Sequence, residues 1–286
     1  MLLAVDARNR ALSLGFREGG RWLAITRLGI SPERSSDEYA FFMDAARKKA
    51  AREGGEASAD GADGADGAPG AAAPAGEASV GAVESAWISN VVPSFTTRIV
   101  EATRLAFGLE AHVVGPGVRT GIKIRTDLPS EVGSDLVCAC IGAREIVGAP
   151  CIVINFGTVL SFSAVDASGD FVGASFVPGL VSAAETLKAS AAQIPDVRIA
   201  RPERAIGRNT IQSVQSGLTI GYGGLVARMV ERMSAELSGK DGTQAVHVVG
   251  TGGEEGRAIL ALEGFGSFIP DLALEGIAIV ASRNAS

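Results

Sequence analysis

One acidic side chain stands where it could act on a phosphorylated substrate. Asp6 ends the apolar run at residues 2–5, which predicts a short buried strand, and the turn at residues 7–10 follows it. A carboxylate at such a strand end can hold Mg²⁺, and the amides of the turn can meet phosphate oxygens. The alternative is a strand-end acid that pairs with Arg8 or Arg10. The sequence leaves both possibilities open.

A second acid, Asp135, lies in the first turn of the helix predicted at residues 136–146. The helix dipole stabilises an ionised carboxylate at this position. Asp135 can therefore either cap the helix or accept a proton from an alcohol as a general base. Considered alone, capping is the more common role for such an acid.

Hydroxyl and glycine residues at two further strand ends could contact a nucleotide. Thr158 follows a Phe-Gly pair, and the glycines Gly252 and Gly253 follow another threonine. Exposed backbone amides in such turns can meet phosphate oxygens. The glycine-rich segment 115–121 fits neither a Walker loop nor a dinucleotide fingerprint. Each of these signals is weak by itself.

Cysteine and histidine residues give no pattern typical of a metal site. Cys138 and Cys140 are two apart on one predicted helix, and no histidine lies near them in sequence. We expect structural cysteines. His247 lies within the apolar strand predicted at residues 245–249, and we expect it in the core. The apolar stripe of the helix predicted at residues 218–237 indicates core or a dimer surface.

Two similar stretches of strand position these residues. Strands predicted at 2–5, 11–16 and 22–26 have counterparts at 151–155, 160–165 and 171–177. Asp6 and Asn155 each end the first strand of their set. A duplication is the better interpretation, and it predicts an α/β fold with two domains facing each other across a central cleft. Ligands of such sheets usually lie beyond strand ends.

The composition limits the classes of partner. Of the 286 residues, 26 are Lys or Arg and 32 are Asp or Glu, which gives a net charge of −6. The absence of a basic run argues against nucleic acid, and no apolar run reaches the roughly 18 residues of a membrane span. The start of the chain has an acid too early for a signal peptide. We expect a reduced, cytoplasmic protein.

The segment 54–82 carries most of the net charge. It contains five acids and no Lys or Arg, so that the chain without it has a net charge of −1. Its Asp-Gly-Ala repeats have little to bury, and we expect a disordered insertion. We place it in an N-terminal domain at residues 1–148, followed by a C-terminal domain at 149–286. The last helix is expected to pack back on the first domain.

Many short motifs in a fixed order carry a resemblance to one family. They lie at residues 1–6, 36–39, 91–94, 115–121, 131–135, 156–158, 177–180, 206–210, 215–217, 221–222, 251–253 and 270–276. Together they resemble type III pantothenate kinase, of the acetate and sugar kinase/Hsp70/actin superfamily. The resemblance covers nearly the whole chain apart from the insertion. It implies two duplicated ribonuclease H-like, or actin-like ATPase, domains.

The resemblance also implies an activity and its cofactors. It implies ATP-dependent phosphorylation of pantothenate, the first step of coenzyme A synthesis, by a homodimer that uses Mg²⁺ and K⁺ or NH₄⁺. By position, Asp6 corresponds to the Mg²⁺ and phosphate-loop aspartate and Asp135 to the general base. The implied contacts to ATP phosphates are Asp6, Asn9, Arg10, Thr158, Gly252 and Gly253. The implied contacts to pantothenate are Thr126, Gly133, Ser134, Asp135, Leu136 and Ala191.

The chain departs from the family pattern at several of these positions. The first loop of the family is Asp-x-Gly-Asn-Thr, whereas here Arg8 and Arg10 replace its glycine and threonine. Leu136 stands where the family has an arginine, and Asn155 stands where it has the aspartate that binds the monovalent cation. Thr126 and Ala191 replace a tyrosine and a threonine of the acceptor pocket. A non-catalytic paralogue and a kinase for another small acceptor are therefore alternatives.

Overall fold

The apolar start of the chain forms the central strand of the first sheet. In this computed structural model, which describes residues 1–59, 81–191, 193–239 and 244–285, strand β1 spans Leu2–Ala7. The antiparallel strands β2 (Ala11–Glu18) and β3 (Arg21–Gly29) extend the sheet on one side. The parallel strands β4 (Ser85–Asn90) and β5 (His112–Val113) extend it on the other. The order is β3-β2-β1-β4-β5.

Two helices, α1 (Ser36–Ala59) and α2 (Thr96–Phe107), contribute to the core of this sheet. Burying a large apolar side chain contributes about 1.5–3 kcal/mol, so this core is a main source of stability. Its fully buried members include Leu3, Val5, Leu14, Phe16, Tyr39, Met43, Ile88 and Ile99.

The second sheet repeats this arrangement with four strands. β6 (Cys151–Phe156) is central, with the antiparallel β7 (Val159–Val165) and β8 (Phe171–Pro178) on one side and the parallel β9 (His247–Gly252) on the other. The order is β8-β7-β6-β9. The helices of this half of the chain are α3 (Ser134–Val147), α4 (Leu180–Ser190), α5 (Thr210–Leu237), α6 (Glu254–Leu262) and α7 (Leu272–Asn284).

The shared topology confirms the duplication expected from sequence. In both sheets the first strand is antiparallel to the second and parallel to the fourth, which is the ribonuclease H-like arrangement. The registers also correspond. Asp6 pairs with Ser13 and Ser89, and Asn155 pairs with Ser161 and Thr251. The protein therefore has a mixed α/β fold with two duplicated domains.

The chain divides into two compact units. One consists of Met1–Arg119 with Ile277–Ser286, and the other of Thr120–Gly276. This division lies before α3, whereas the boundary predicted from sequence, at residue 148, lies after it. Helix α7 begins in the second unit and ends in the first.

Three local expectations need correction. Helix α1 continues to Ala59, so residues 54–59 of the expected disordered insertion are helical even though the segment begins with two glycines, which are poor helix formers. The rest of that segment, at 60–80, lies outside the described residues. Helix α5 begins eight residues earlier than expected because the Asn209 side chain accepts a hydrogen bond from the amide of Gln212 at 2.9 Å. His247 is exposed, since it is the first residue of β9 and lies at the end of the sheet.

Among the helices in the described ranges, none combines the length and apolarity needed to cross a bilayer.

A carboxylate clamp joins residues 121–125 to the start of β8. Asp170 Oδ2 accepts from Arg125 Nε at 2.6 Å, and Asp170 Oδ1 accepts from the amide of Lys123 at 3.3 Å. Two backbone hydrogen bonds link Phe171 with Lys123 and Arg125. The hydrogen bond from Arg125 holds the pKa of Asp170 below its usual range, with a smaller contribution from the Lys123 amide. The clamp thereby fixes the residues just before Thr126.

The clamp predicts a pH-dependent loss of stability. Because the folded-state pKa of Asp170 is depressed, its contribution is present above the unfolded carboxyl value of about 3.9 and is lost as the pH falls through the folded value. Asp170→Asn should lower the free energy of unfolding at pH 7, and the difference from wild type should shrink below about pH 4. Urea unfolding measured between pH 7 and pH 3 checks this.

Asp196→Asn is the matched control for Asp170→Asn. Asp196 pairs with Lys188 at 3.2 Å, but both side chains are exposed, so its loss should change stability by less than about 0.5 kcal/mol. A wild-type advantage over Asp170→Asn that stays constant down to pH 3 would contradict the clamp.

Candidate functional site

The carboxylate of Asp6 is buried and paired with an arginine from the next turn. Asp6 is 1% exposed, and its Oδ2 accepts from Arg8 Nε at 2.5 Å. The Arg8 side chain is 22% exposed. Asp6 Oδ1 is also buried, and no hydrogen-bond partner for it occurs within the described part of the chain. Of the two possibilities that the sequence left open, the structure shows the ion pair with Arg8.

The turn between β1 and β2 is fixed by its own backbone. The amide of Arg8 donates to the carbonyl of Ala11 at 2.8 Å, and the amide of Ile30 donates to the carbonyl of Arg10 at 3.1 Å. The amide of Arg8 is therefore already used and does not face a ligand. Asn9 and Arg10, both predicted to contact ATP phosphates, are exposed at the tip.

In the second unit, the ends of the paired strands β6 and β9 meet closely, together with the residues that follow them. The amide of Gly253 donates to the carbonyl of Phe156 at 2.7 Å. Gly252 has φ +96°, and a Cβ at this position would overlap the same carbonyl oxygen. Glycine is therefore required at 252 both by backbone conformation and by the close approach of the two strand ends. Asn155 Oδ1 lies beside Gly252 as well, so the three predicted residues 155, 252 and 253 lie together.

The Glu255 carboxylate also lies in this region, against Gly253, in the space that a Cβ there would take. A phosphate at Gly253 requires this side chain to move, because two negative charges would otherwise meet. The sequence alone does not indicate that Glu255 belongs to this site. Its position in the first turn of α6 is ordinary for an acid, and only the folded loop shows what it covers.

The side chain of Thr158 is exposed on a loop that its backbone anchors. The carbonyl of Thr158 accepts from the amide of Gly179 at 2.9 Å and from Ser182 Oγ at 3.0 Å. A Cβ on Gly179 would overlap the carbonyl oxygen of Gly157. The start of α4 therefore fixes the loop that presents the Thr158 hydroxyl to solvent.

Asp135 lies at the start of α3, as expected. Its Oδ1 accepts from the amide of Leu136 at 2.8 Å, and Gly133 precedes the helix as its N-cap residue with extended backbone. Asp135, Gly133 and Ser134 are partly exposed. Leu136 is only 8% exposed and belongs to the hydrophobic core, so it fills space rather than presenting a charge.

The remaining predicted acceptor contacts are on two loops. Thr126 follows the Asp170 clamp, and its Oγ1 is buried with no hydrogen-bond partner among the residues that the structure describes. Ala191 ends α4, and its carbonyl accepts from the amide of Ile194 at 2.9 Å. The structure thus gives Thr126 an unsatisfied hydroxyl, which costs free energy unless a ligand or water pairs with it.

The arrangement around Asp6 does not fit a divalent cation. A guanidinium occupies one oxygen of its carboxylate, and two cations at one carboxylate repel each other. Within residues 1–59, 81–191, 193–239 and 244–285, no group of three His, Cys, Asp or Glu side chains could hold a metal ion. At the corresponding strand end, Asn155 offers a neutral amide oxygen, a donor type that suits a hard cation such as K⁺.

The three cysteines are buried, and burial raises the thiol pKa of two of them. Burial raises the pKa of the Cys140 thiol well above its ordinary value and that of Cys151 to about 12. Both thiols therefore stay protonated near neutral pH, and neither is a nucleophile. This supports the structural role expected for them.

Comparison with known proteins identifies both the fold and the family of the chain. A solved Baf family protein from Campylobacter jejuni has the same fold, with a TM-score of 0.56 at 11% identity over 99% of this chain and 98% of that one. The family model described as type III pantothenate kinase matches residues 2–232. The chain belongs to the type III pantothenate kinase family.

Two curated relatives extend the match over the full length. A protein named type III pantothenate kinase from Dehalococcoides mccartyi strain CBDB1 is 32% identical over 99% of this chain and 96% of its own length. Another of that name from Streptomyces coelicolor is 33% identical over 100% of this chain and 99% of its own length. These relatives support a kinase role.

The close approach of Gly252 to the end of β6 predicts how a substitution at Gly252 changes the stability of the protein. Gly252→Ala should lower the free energy of unfolding by about 1–3 kcal/mol, because the new Cβ meets backbone in a conformation that favours glycine. Urea unfolding provides the measurement.

Gly217→Ala is the control for Gly252→Ala. Gly217 lies within α5, and a Cβ there meets no atom of the described structure within 4 Å. This change should raise stability by about 0.5–1 kcal/mol because alanine is the better helix former. Equal effects of the two substitutions would show that the strand ends do not require glycine at 252.

Proposed function

We propose that the protein transfers the γ-phosphoryl group of ATP to the hydroxyl of pantothenate and forms 4′-phosphopantothenate, the first step of coenzyme A synthesis. The observation that carries this proposal is the full-length match to proteins named for that activity. The ordered motifs and the duplicated strand ends at Asp6 and Asn155 agree with it.

Asp135 is the proposed general base. As the pantothenate oxygen attacks the γ-phosphorus, the Asp135 carboxylate accepts the hydroxyl proton, the bond between the γ-phosphorus and the bridging oxygen breaks, and ADP leaves. The hydrogen bond from the Leu136 amide orients this carboxylate at the start of α3.

The contacts to ATP are proposed at residues that lie at or just after strand ends. In the first unit, Asn9 and Arg10 at the tip of the turn after β1 meet phosphate oxygens, and Arg8 with Asp6 orders that turn. In the second unit, Thr158 provides an exposed hydroxyl, and Gly252 and Gly253 provide close backbone once the Glu255 side chain moves away from Gly253. Phosphoryl transfer depends chiefly on positioning and charge neutralisation, which these groups can supply.

Pantothenate recognition is assigned to residues near Asp135 and on two loops. Gly133 and Ser134 lie beside the proposed base, and Thr126 offers its buried hydroxyl as a hydrogen-bond partner. Leu136 and Ala191 shape the acceptor pocket with apolar surface. We further propose a homodimer in the cytoplasm and a monovalent cation, K⁺ or NH₄⁺, near Asn155.

An ADP-release assay tests the kinase proposal. Purified protein with ATP, Mg²⁺ and high K⁺ should release ADP only when pantothenate is added. Asp135→Asn should lower kcat by about 10²–10⁴-fold, because a positioned general base contributes that much. Its KM for ATP should change little, since the proposed ATP contacts are elsewhere.

Glu236→Gln, which removes an exposed acid near the end of α5, is the control for Asp135→Asn and should keep wild-type kcat. ADP release at background level by folded wild-type protein, at every K⁺ and NH₄⁺ concentration, would refute the kinase proposal.

A second candidate function is a non-catalytic paralogue that binds or regulates as a dimer. The ion pair between Asp6 and Arg8 favours it, because Arg8 blocks the carboxylate that the family uses and stands where the family has glycine. Under this alternative the double variant Arg8→Gly with Arg10→Thr creates pantothenate-dependent ADP release that wild type lacks. Wild-type turnover at least as fast as that of the double variant excludes it.

A further inference from the structure

The Asp6 carboxylate has a counter-charge that the chain itself provides. Asp6 is 1% exposed, and Arg8 Nε lies 2.5 Å from its Oδ2. The Arg8 side chain is itself largely buried, with 22% exposed. A buried carboxylate requires a partner, because an uncompensated charge in the interior is strongly unfavourable. Arg8 meets that requirement without any ligand.

The backbone of the turn after β1 folds back at Arg8. Its amide bonds to the carbonyl of Ala11 at 2.8 Å, directly after the last β1–β2 pair, Ala7 with Leu12. The turn is further tied to the end of β3 through Ile30. Main-chain hydrogen bonds thus fix the backbone of the turn at Arg8. The planar guanidinium of an arginine matches a carboxylate in a defined geometry, which the ammonium of a lysine does not.

The second sheet supplies an internal comparison. At the corresponding strand end, Asn155 is 6% exposed and carries no charge, and the loop after it, residues 157–158, contains no arginine. Charge and counter-charge are therefore present together at one strand end and absent together at the other. This pattern is expected if the arginine exists to neutralise the carboxylate.

We infer that the guanidinium of Arg8 takes the place of a divalent cation at Asp6. Asp6 then holds no metal, and its negative charge is neutralised permanently. As a consequence, which rests on the proposed function, nucleotide phosphates that reach this turn meet a carboxylate whose charge Arg8 already compensates. Nucleotide binding therefore does not depend on a metal held by Asp6.

Mn²⁺ binding tests the placement of Arg8 without any nucleotide. Free Mn²⁺ is measured by electron paramagnetic resonance in titrations of wild type, Asp6→Asn and Arg8→Ala. Wild type and Asp6→Asn should bind the same number of Mn²⁺ ions, because Asp6 is occupied. Arg8→Ala should bind one more. A Mn²⁺ ion that binds to wild type but not to Asp6→Asn would overturn the inference.

Thermal unfolding provides a second readout. Mn²⁺ should raise the Tm of Arg8→Ala by about 3–5 °C and that of wild type by less than about 1 °C, because only the variant exposes a carboxylate to the ion. Arg52→Ala removes an exposed arginine of α1 and should respond as wild type does. The double variant Asp6→Asn with Arg8→Ala removes both charges and leaves no unpaired buried carboxylate, so it should fold even if Arg8→Ala alone does not. Its Tm should not respond to Mn²⁺. Equal responses of wild type and Arg8→Ala would contradict the inference.

Nucleotide binding separates this inference from the proposed function. A fluorescent ATP analogue should bind wild type with a Kd in EDTA within about 3-fold of that in Mg²⁺, and Arg8→Ala should bind about 10-fold more weakly in EDTA. Wild-type binding that requires Mg²⁺, and that loses this requirement in Asp6→Asn, would overturn the inference. No binding in either buffer refutes the proposed function, whereas the Mn²⁺ titration still decides where Arg8 lies.

Discussion

Each sheet of this protein buries a polar side chain at the end of its central strand, and that constraint organises the loops around it. Asp6 and Asn155 are 1% and 6% exposed, so their polar atoms must be compensated from nearby residues. In the first unit Arg8 supplies the compensation as an ion pair. In the second unit a neutral amide lies against the close-packed backbone at Gly252. The strand ends of the duplicated fold are therefore alike in backbone and different in chemistry.

This difference bears on how a kinase fold can work with an altered phosphate loop. Asp135 lies at the start of α3 and Thr158 is exposed, so the residues proposed as general base and as one phosphate contact lie where the sequence predicted them. The charge at Asp6 is neutralised from within the chain. The compensation of this buried charge is therefore a property of the polypeptide itself.

Much of the fold could be predicted from the sequence because its signals are local. The strands and the duplication follow from apolar runs of similar spacing, and both sheets confirm them. Predictions failed where the determinants were a cap or a strand end. Asn209 starts α5 early, and His247 begins β9 rather than lying in the core. The clamp of Asp170 with Arg125 and the position of Glu255 had no sequence signal, because they join residues whose contact is created only by folding.

Detection of the product by mass spectrometry tests the proposed activity most directly. Wild-type protein incubated with ATP, Mg²⁺, K⁺ and pantothenate should form 4′-phosphopantothenate, and Asp135→Asn under the same conditions should form little or none. Absence of this product from folded wild-type protein, or equal amounts from wild type and Asp135→Asn, would contradict the proposed activity and the role given to Asp135.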